Sequence, residues 1–322
     1  MTDFIEKNPN LEGSSSIPLV AILLCTYNGA RFLAEQLDSL ESQAHQNWVV
    51  IASDDGSTDQ TLEILRQYQA KWPSGKLTIR SGPQKGFCQN FLSLACDPNI
   101  RADYYAFCDQ DDVWLPEKLT VALENVATNQ QTDVPYLYCG RTKYVNEKLK
   151  PCGMSPLFVF PPSFRNALVQ SIAGGNTMVF NQTAKSLLEK VGPVDVPSHD
   201  WWAYLLVTSR GGNVYYEKNS YILYRQHPKS LVGQNKTLFS QLRRLIKLLR
   251  GRFKVWNSKN ITSLEKTKAY MSEASREIFS LYRLMREANL KDRLRLMQVC
   301  GVYRQTKSQT ALLFLVIIFK KL

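Results

Sequence analysis

The stretch Phe107-Cys108-Asp109-Gln110-Asp111-Asp112-Val113-Trp114 joins an apolar run to a cluster of acids. The apolar and aromatic residues from Tyr104 to Cys108 predict a short buried strand, and three carboxylates follow within four residues. Pro116 and Glu117 come next, as at a helix start, where a missing N–H and an acidic first turn are both tolerated. The acids are therefore expected at the carboxyl end of a strand, where open α/β sheets bind their ligands.

The three acids of this stretch predict a cation site. Clustered carboxylates repel one another and lose hydration on burial unless positive charge lies between them. A hard divalent cation with oxygen ligands fits such a cluster, and Mg²⁺ in particular takes one or two carboxylates together with substrate phosphates. A short Asp-x-Asp pattern also occurs in solvated acidic turns. The rest of the chain has to decide between these two interpretations.

The composition is that of a folded protein, with 44% apolar and 21% charged residues among 322. This length suggests one large domain or two small ones. Residues 1–17 are polar and mixed in charge, without the apolar segment of a secretory signal, and predict a flexible tail. Seven cysteines form an odd set without any Cys-x-x-Cys pair. They favour reduced thiols in the cytoplasm over a disulfide framework or a zinc site.

Positive charge is concentrated in the last quarter of the chain. Residues 236–322 contain 20 Lys and Arg against 5 Asp and Glu, a net charge of +15, whereas the rest of the chain carries −3. This asymmetry predicts a separate region with an anionic partner, either a phospholipid surface or a nucleic acid.

Apolar runs and amphipathic stretches alternate over the first 115 residues. Continuous apolar runs predict strands buried on both faces, and apolar stripes at helical spacing predict helices between them. The predicted strands are 19–25, 48–52, 77–79 and 104–108. This alternation predicts an α/β fold with a mostly parallel sheet flanked by helices. The polar turns after three of these strands should therefore meet along one edge of the sheet.

Residues 115–230 are less regular, but three features there concern function. Gly174 and Gly175 precede a predicted strand, where they either let the backbone approach a ligand closely or form a bulge. His199-Asp200-Trp201-Trp202 opens a predicted helix, with Asp200 in its first turn. A predicted strand at 221–224 leads into Arg225-Gln226-His227.

The chain beyond residue 235 is predicted to be helical. Apolar residues between 238 and 249 form one stripe with basic residues off it, which is typical of a helix in a membrane interface. The alternative is a helix packed on the α/β domain with a solvated basic face. Residues 311–319 are nine apolar residues, too few for a membrane-spanning helix of about 20, so they either enter one leaflet or form an oligomer contact. The predicted units are a tail at 1–17, an α/β domain at 18–235 and a basic helical region at 236–322.

Four motifs together resemble the family 2 glycosyltransferases, which have the Rossmann-like GT-A fold. They are Leu24-Cys25-Thr26-Tyr27-Asn28-Gly29, Ser53-Asp54-Asp55-Gly56-Ser57-Thr58-Asp59, the acid stretch described above and His199-Asp200-Trp201-Trp202. Each motif is weak alone, but their order and spacing over residues 18–230 are typical of the family. The forms Asp-Gln-Asp-Asp-Val-Trp, His-Asp-Trp-Trp and Tyr-Arg-Gln-His are most similar to the bacterial rhamnosyltransferase branch, which builds surface polysaccharides from dTDP-L-rhamnose.

The resemblance implies residues for binding the donor nucleotide and sugar. The implied contacts are Thr26, Tyr27, Asn28, Asp54, Asp55, Lys85, Gly86, Asp109, Asp112, Gly175, Asn176, Trp201, Trp202 and Arg225. Within this set, Asp55 would hydrogen-bond the base or ribose, and Arg225 would clamp the diphosphate, since a guanidinium matches phosphate geometry. Trp201 and Trp202 either stack on a sugar face or pack in the core.

The resemblance also implies a divalent cation, Mg²⁺ or Mn²⁺, at the acid stretch. Asp111 would be its first direct ligand, with Asp109 beside it on the metal, the ribose or an ordered water. His227 either contacts the metal or a phosphate, or is structural. The cation would neutralise the diphosphate leaving group.

Asp200 matches the catalytic base of the family. It would take the proton from an acceptor hydroxyl that attacks the anomeric carbon opposite the diphosphate, so that a single displacement inverts the anomeric centre. The alternative is an acid favoured by the helix dipole. The sequence departs from the wider family, because His199 stands where many members have an acid before the base. Arg225-Gln226-His227 also replaces a later Gln-x-x-Arg-Trp element.

The resemblance implies an enzyme, an inverting hexosyltransferase that moves L-rhamnose from dTDP-L-rhamnose to a lipid-linked saccharide in O-antigen or capsule synthesis. It would work in the cytoplasm, peripheral to the inner face of the membrane, and a homo-oligomer is compatible with the sequence. The alternatives are another donor (UDP-Gal, UDP-Glc or UDP-GlcNAc) and a non-catalytic nucleotide- or carbohydrate-binding module. We expect no nucleic-acid partner, because no recognised nucleic-acid module accompanies the basic region.

Overall fold

The computed structural model describes residues 17–129, 133–226 and 252–320. The strands in these ranges are β1 (Val20–Thr26), β2 (Trp48–Asp54), β3 (Leu77–Ser81), β4 (Tyr104–Asp109), β5 (Val113–Trp114), β6 (Tyr136–Gly140), β7 (Lys143–Val145), β8 (Pro151–Met154), β9 (Val179–Asn181), β10 (Asn213–Glu217) and β11 (Ile222–Arg225). The helices are α1 (Leu33–Glu41), α2 (Thr61–Lys71), α3 (Phe87–Ala95), α4 (Lys118–Asn129), α5 (Phe164–Ala167), α6 (Gln182–Val191), α7 (His199–Ser209), α8 (Arg252–Glu265), α9 (Glu273–Glu287), α10 (Leu290–Cys300) and α11 (Lys307–Ile318). Strands and helices alternate up to β4, which confirms the predicted α/β fold.

Seven strands form the central sheet in the order β10-β6-β9-β4-β1-β2-β3. β1 runs parallel to both β2 and β4, and β3 runs parallel to β2. β9 lies antiparallel between β4 and β6, while β10 is parallel to β6 at the edge. The sheet is therefore mostly parallel, as the sequence predicts.

The carboxyl ends of β1, β2 and β4 lie side by side. Thr26 at the end of β1 pairs with Asp54 at the end of β2, and Cys25 pairs with Asp109 at the end of β4. The polar turns that follow these strands therefore start from one edge of the sheet. This register confirms the expectation that the motif residues meet there.

A small second sheet forms beside this edge. Its order is β5-β11-β7-β8, with β11 antiparallel to β5 and parallel to β7. β5 follows Asp112 directly, so its pairing with β11 brings Arg225, the last residue of β11, to the loop at Asp111 and Asp112. The second sheet thus connects the segment that ends at Arg225 to Asp111 and Asp112 of the acid stretch.

Apolar side chains of the central sheet pack in two clusters, one on each face. Along β1, alternate residues belong to opposite clusters, as the period of two in a strand requires: Ala21, Leu23 and Cys25 belong to one, and Val20, Ile22 and Leu24 to the other. All six are buried, which explains why this segment is continuously apolar in sequence.

The described C-terminal helices share one of these two clusters. Phe253 and Leu264 of α8, Tyr282 of α9 and Leu313 of α11 are buried in the same cluster as α7. The Asn257 amide also donates to the Leu168 carbonyl at 2.8 Å. Residues 252–320 therefore pack on the α/β domain. The amphipathic stripe predicted between 238 and 249 and residues 1–16 of the predicted tail lie outside the described residues.

Buried Arg293 joins the ends of two C-terminal helices. Its guanidinium donates to the Met285 and Ala288 carbonyls at the end of α9, and to the Ile317 and Ile318 carbonyls at the end of α11. Carbonyls in the last turn of a helix are generally left short of donors, and a cation there also complements the helix dipoles. Within ranges 17–129, 133–226 and 252–320, no helix combines the length and apolar character needed to cross a bilayer.

Candidate active site

The acid stretch is held in place by its third carboxylate. Asp112 is fully buried. One of its carboxylate oxygens accepts from the Arg225 backbone N–H at 3.2 Å, and the other accepts from the Asn176 side-chain amide. The expectation that Asp112 and Asn176 contact the substrate directly is therefore corrected. Both side chains are buried, and they fasten the acid stretch to the 3₁₀ turn at Gly175–Thr177.

The other two carboxylates of the stretch lie with Asp200 in one electrostatic cluster. Burial, and then the charges of Asp111 and Asp200, raise the pKa of Asp109 to about 8. No side chain or backbone N–H in the described ranges donates a hydrogen bond to the Asp109 carboxylate, which differs in this respect from the carboxylate of Asp112. The structure thus brings the predicted base to the predicted cation site, from a position 91 residues later in the chain.

Asp200 lies in the first turn of α7 and is oriented by three donors. One carboxylate oxygen accepts from the Gly175 N–H at 3.2 Å, and the other accepts from the Trp201 N–H at 2.6 Å and from the Ser198 hydroxyl. The 3₁₀ turn therefore connects the acid stretch, through Asn176, to the predicted base, through Gly175. This bridge holds both carboxylate groups on rigid elements.

His199 and Gly175 fit against each other beside this bridge. The imidazole is buried, stacks on Phe91 with ring centroids 3.9 Å apart and meets the edge of Phe107 at 4.7 Å. Burial lowers the pKa of His199 to about 4, so the ring is neutral at pH 7. A Cβ atom at Gly175 would lie 2.2 Å from the Nε2 atom of His199. Because glycine has no side chain, the backbone at Gly175 can approach the His199 imidazole closely.

Replacing Gly175 with Ala is expected to lower both stability and turnover. The added methyl group collides with an imidazole that the Phe91 and Phe107 rings prevent from moving, so the Gly175 N–H shifts away from Asp200. We expect about 1–3 kcal/mol less stability, as for other overpacked sites, and roughly tenfold slower transfer. Thermal melting and turnover of the variant measure both effects. The double variant Gly175→Ala/His199→Ala is the control, and if it melts no higher than the single variant, the collision is not the cause.

A glutamine of the acid stretch clamps the turn after β1. The Gln110 side chain accepts from the Tyr27 N–H at 2.8 Å and donates to the Tyr27 carbonyl at 3.0 Å. Gly29 leaves room for this amide, since a Cβ atom there would lie 2.1 Å from its Oε1 atom. Gln110 was not among the predicted site residues, because an amide between two acids has no distinctive pattern in sequence. This clamp fixes the turn at 26–29 relative to the carboxylates.

The two aspartates at the end of β2, Asp54 and Asp55, shape neighbouring turns. Asp54 is buried and accepts from the hydroxyls of Thr26 and Ser57 and from the Ser57 N–H. Asp55 accepts from the N–H groups of Gln84 at 2.6 Å and Gly86 at 2.8 Å. Thr26 and Asp54 therefore join the ends of β1 and β2 from inside, and Asp55 positions the loop that carries Lys85.

The predicted nucleotide contacts that remain accessible lie on these turns. Tyr27 is 58% exposed, and Lys85 and Gly86 are exposed on the loop after β3. Asn28 has a φ of 47° and its side-chain oxygen accepts from the Thr58 N–H at 2.8 Å, so it joins the two turns. Direct contact of these residues and of Asp55 with a nucleotide stays a prediction.

Arg225 holds the acid stretch and does not face a ligand. Its guanidinium is fully buried and donates to the carbonyls of Asp111 at 2.9 Å and Glu147 at 2.5 Å, and to the Glu35 carboxylate at 2.8 Å. The expected diphosphate clamp is therefore corrected, because these bonds occupy the fork that a phosphate needs. Arg225 lies beside the acid stretch, but its guanidinium donates to the loop backbone and not to a bound molecule.

The two tryptophans after Asp200 belong to the core. Trp201 donates from its indole N–H to the Ala167 carbonyl at 2.7 Å and stacks on Phe253, and Trp202 is 0% exposed. A ring buried in this way has no free face for a sugar. Of the two alternatives, stacking on a sugar and packing in the core, both tryptophans therefore show core packing. His227, the predicted third metal contact, lies outside the described residues.

Comparison with known proteins identifies the family. The model of the family described as "Glycosyl transferase family 2" matches residues 21–188, more than half of the chain. The chain belongs to this glycosyltransferase family. The match covers the acid stretch and both aspartates at the end of β2, and it ends before Asp200.

Relatives and solved structures agree with this assignment. The glycosyltransferase is 28% identical over 257 residues to a Shigella flexneri protein described as "dTDP-rhamnosyl transferase RfbG", which covers 75% of this chain and 83% of that one. The solved structure of S. aureus TarS 1-349 in complex with UDP-GlcNAc is similar at a TM-score of 0.51 and 16% identity, over 87% of this chain and 78% of that one. The mannosyltransferase PcManGT from Pyrobaculum calidifontis, in complex with GDP-Man and Mn²⁺, has a TM-score of 0.50 and 18% identity, over 95% and 86%. At these identities the two structures support the GT-A fold alone.

The donor set of this glycosyltransferase fits a divalent cation bound together with a diphosphate. In the parts of the chain that the structure describes, no group of three His, Cys, Asp or Glu side chains is arranged to hold a metal ion. Asp109 and Asp111 nevertheless offer hard oxygen donors, and burial together with the neighbouring carboxylates raises the pKa of Asp109, as in a cluster that a cation would stabilise. Two carboxylates are enough for Mg²⁺, which completes its shell with water and substrate phosphates.

Proposed function

We propose that this glycosyltransferase transfers L-rhamnose from dTDP-L-rhamnose, with inversion, to a hydroxyl group of a lipid-linked saccharide. The observation that carries the choice of donor is the 28% identity to the dTDP-rhamnosyl transferase RfbG, which extends over most of both chains. The match also extends well beyond the 168 residues that define the family, 21–188. It therefore includes residues of the chain that the family model does not match.

The site supports a single displacement with Asp200 as the base. Asp200 is oriented by the N–H groups of Gly175 and Trp201 and by the Ser198 hydroxyl, and one carboxylate oxygen has only the Gly175 donor. That oxygen keeps a lone pair for the proton of an acceptor hydroxyl. The base needs no enzyme nucleophile beside it, because the hydroxyl itself attacks the anomeric carbon, and such positioned proton transfer is worth about 10²–10⁴-fold in rate.

Asp109 and Asp111 serve the other end of the reaction, the diphosphate leaving group. When bound, Mg²⁺ or Mn²⁺ supplies positive charge where negative charge develops on the diphosphate. The chain's own contribution is to keep both carboxylates in place. Asp112 and Arg225 bond to each other and fix the backbone of the loop, so the acids are arranged before the donor arrives.

The proposed acceptor places the enzyme in the cytoplasm, peripheral to the inner face of the membrane, in the synthesis of an O-antigen or capsule. Support comes from the charge distribution, since residues 236–322 carry a net charge of +15. A positive region is attracted to the anionic inner leaflet, with about 1 kcal/mol for each Lys or Arg near the surface.

A turnover panel tests the donor and the class together. Purified full-length protein is offered dTDP-, UDP- and GDP-sugars with Mg²⁺ or Mn²⁺ and an extract of lipid-linked acceptors, and release of nucleoside diphosphate is followed. We expect release from dTDP-L-rhamnose at least tenfold faster than from other donors, and none with EDTA. The Asp200→Asn protein, prepared in the same way, corrects for contaminating hydrolases.

Other outcomes of the panel overturn specific parts of the proposal. Turnover of a UDP-sugar alone would keep the mechanism and discard rhamnose. If no donor turns over while calorimetry shows that dTDP binds, the chain is a nucleotide-binding module on a glycosyltransferase fold. Release of nucleoside diphosphate that persists in EDTA would show that the reaction needs no divalent cation.

A further inference from the structure

The exposed face of α10 interleaves apolar and basic side chains. Leu290 is 54% exposed and Val299 is 55% exposed, and Leu294 is also exposed on this face. Lys291 and Arg295 are exposed between them, four residues apart and therefore on one side of the helix. The opposite side packs inward through Arg293 and Cys300, which are buried. An exposed helix face of this composition is typical of a membrane interface.

α11 has an exposed apolar stripe of its own. Ala311, Leu315 and Phe319 are exposed at four-residue spacing, and Phe319 is 64% exposed. Leu313, Val316 and Ile317 are buried on the other side, so the helix is anchored to the core while its outer side remains apolar. No charged residue occurs between Lys307 and Lys320. The outer side of α11 is therefore an apolar surface bordered by lysine.

The two helices that carry these surfaces lie next to each other. The Arg293 guanidinium donates to the carbonyls of Ile317 at 3.4 Å and Ile318 at 3.1 Å, so the first turns of α10 lie beside the end of α11. We call the exposed set on these two adjoining segments the C-terminal corner. It consists of Leu290, Lys291, Leu294, Arg295, Phe319 and Lys320.

The cations of the C-terminal corner are available to an external partner. Lys291, Arg295 and Lys320 form no ion pair with any residue in the ranges 17–129, 133–226 and 252–320. The nearest acid in sequence, Asp292, accepts from the Asn289 amide at 2.7 Å. The corner thus combines exposed apolar side chains with three positive charges that have no ion-pair partner within the described part of the chain.

We propose that the C-terminal corner docks on an anionic phospholipid bilayer, with Leu290, Leu294 and Phe319 entering the headgroup region and Lys291, Arg295 and Lys320 contacting lipid phosphates. Charge complementarity favours a bilayer over a second copy of the chain. A two-fold contact through this corner would place the three cations against the same cations of the other copy. The proposal supplies the surface for the membrane location proposed above, but it is tested independently of turnover.

Vesicle flotation of the full-length protein tests the docking surface. Vesicles of 70% phosphatidylcholine and 30% phosphatidylglycerol are compared with pure phosphatidylcholine. We expect the wild type to float with the anionic vesicles alone and to be released by high salt, which screens the charges. The variant Leu294→Glu/Phe319→Glu should bind at least tenfold less, and Lys291→Glu/Arg295→Glu should behave in the same way. Since all four side chains are exposed, the variants are expected to melt like the wild type.

A matched control separates this corner from exposed apolar residues in general. Val159→Glu changes a side chain that is 69% exposed on the α/β domain, and it should float like the wild type. Wild-type flotation of the two corner variants would overturn the proposal, as would a wild type that does not bind anionic vesicles. A wild-type dimer that becomes monomeric in the Leu294→Glu/Phe319→Glu variant would show that the corner is a contact between copies. If flotation behaves as expected while the donor panel fails, the docking surface stands and the proposed reaction does not.

Discussion

Replacing Asp200 with Asn is expected to lower turnover by about 10²–10⁴-fold, because the variant loses the base that takes the proton from the acceptor hydroxyl. The amide has nearly the same shape, and its oxygen still accepts from one of the neighbouring N–H groups. Donor binding, which depends on the other end of the site, should change little. The expected signature is thus a fall in kcat at nearly constant KM for the donor.

Steady-state kinetics with the donor found in the turnover panel measures this change. Asp195→Asn is the matched control, since Asp195 lies five residues earlier, is largely exposed and pairs with Lys259 at the surface. Surface ion pairs of this kind are worth at most about 1 kcal/mol, and this one lies outside the proposed site, so the control should keep full activity. If the Asp200→Asn protein has the kcat of the wild type, Asp200 is not the base. It is then only an acid that the helix dipole stabilises at the N-terminus of α7.

Replacing Asp111 with Asn should affect activity and stability in opposite directions. Loss of one carboxylate ligand weakens the charge stabilisation of the leaving group by several kcal/mol, so we expect at least about 10²-fold slower turnover. Without metal, however, the variant should be as stable as the wild type or more stable. The Asp111 charge raises the pKa of Asp109, and its removal relieves that repulsion.

Two measurements check the Asp111 prediction. Calorimetry with dTDP should show tighter binding with Mg²⁺ or Mn²⁺ for the wild type and no such difference for the variant, and melting in EDTA gives the stability. Glu117→Gln serves as the control, because this exposed acid follows the same loop but is not part of the cluster. A variant that keeps metal-dependent dTDP binding, or that melts clearly below the wild type in EDTA, would contradict the assignment of Asp111 as a metal ligand.

The sequence predicts the sheet edge of this fold well, for a definite physical reason. Strands buried on both faces must be apolar throughout, so the runs before Thr26, before Asp54 and before Asp109 are visible without a structure. Parallel strands end at a common edge, and the acids that follow them therefore had to meet. The family motifs added Asp200, which no rule of local sequence could connect to that edge.

The sequence does not show which polar residues serve the ligand and which support the loops. Arg225 and Asp112 look like ligand contacts because both are charged and lie in motifs, yet the structure uses them to fix one another. Gln110 was overlooked because an amide between two acids has no distinctive pattern, and its partner is the Tyr27 backbone. Such distinctions depend on burial and on contacts distant in sequence, which periodicity does not record.

The anomeric configuration of the transferred sugar tests the central claim most directly. With the donor and acceptor found in the turnover panel, nuclear magnetic resonance of the first product gives the configuration of the new glycosidic bond. A single displacement with Asp200 as base predicts a configuration opposite to that of the sugar in the donor. Retention would contradict the account, because it requires a second displacement or a front-face reaction, in which a base beside the acceptor hydroxyl cannot have the role proposed for Asp200.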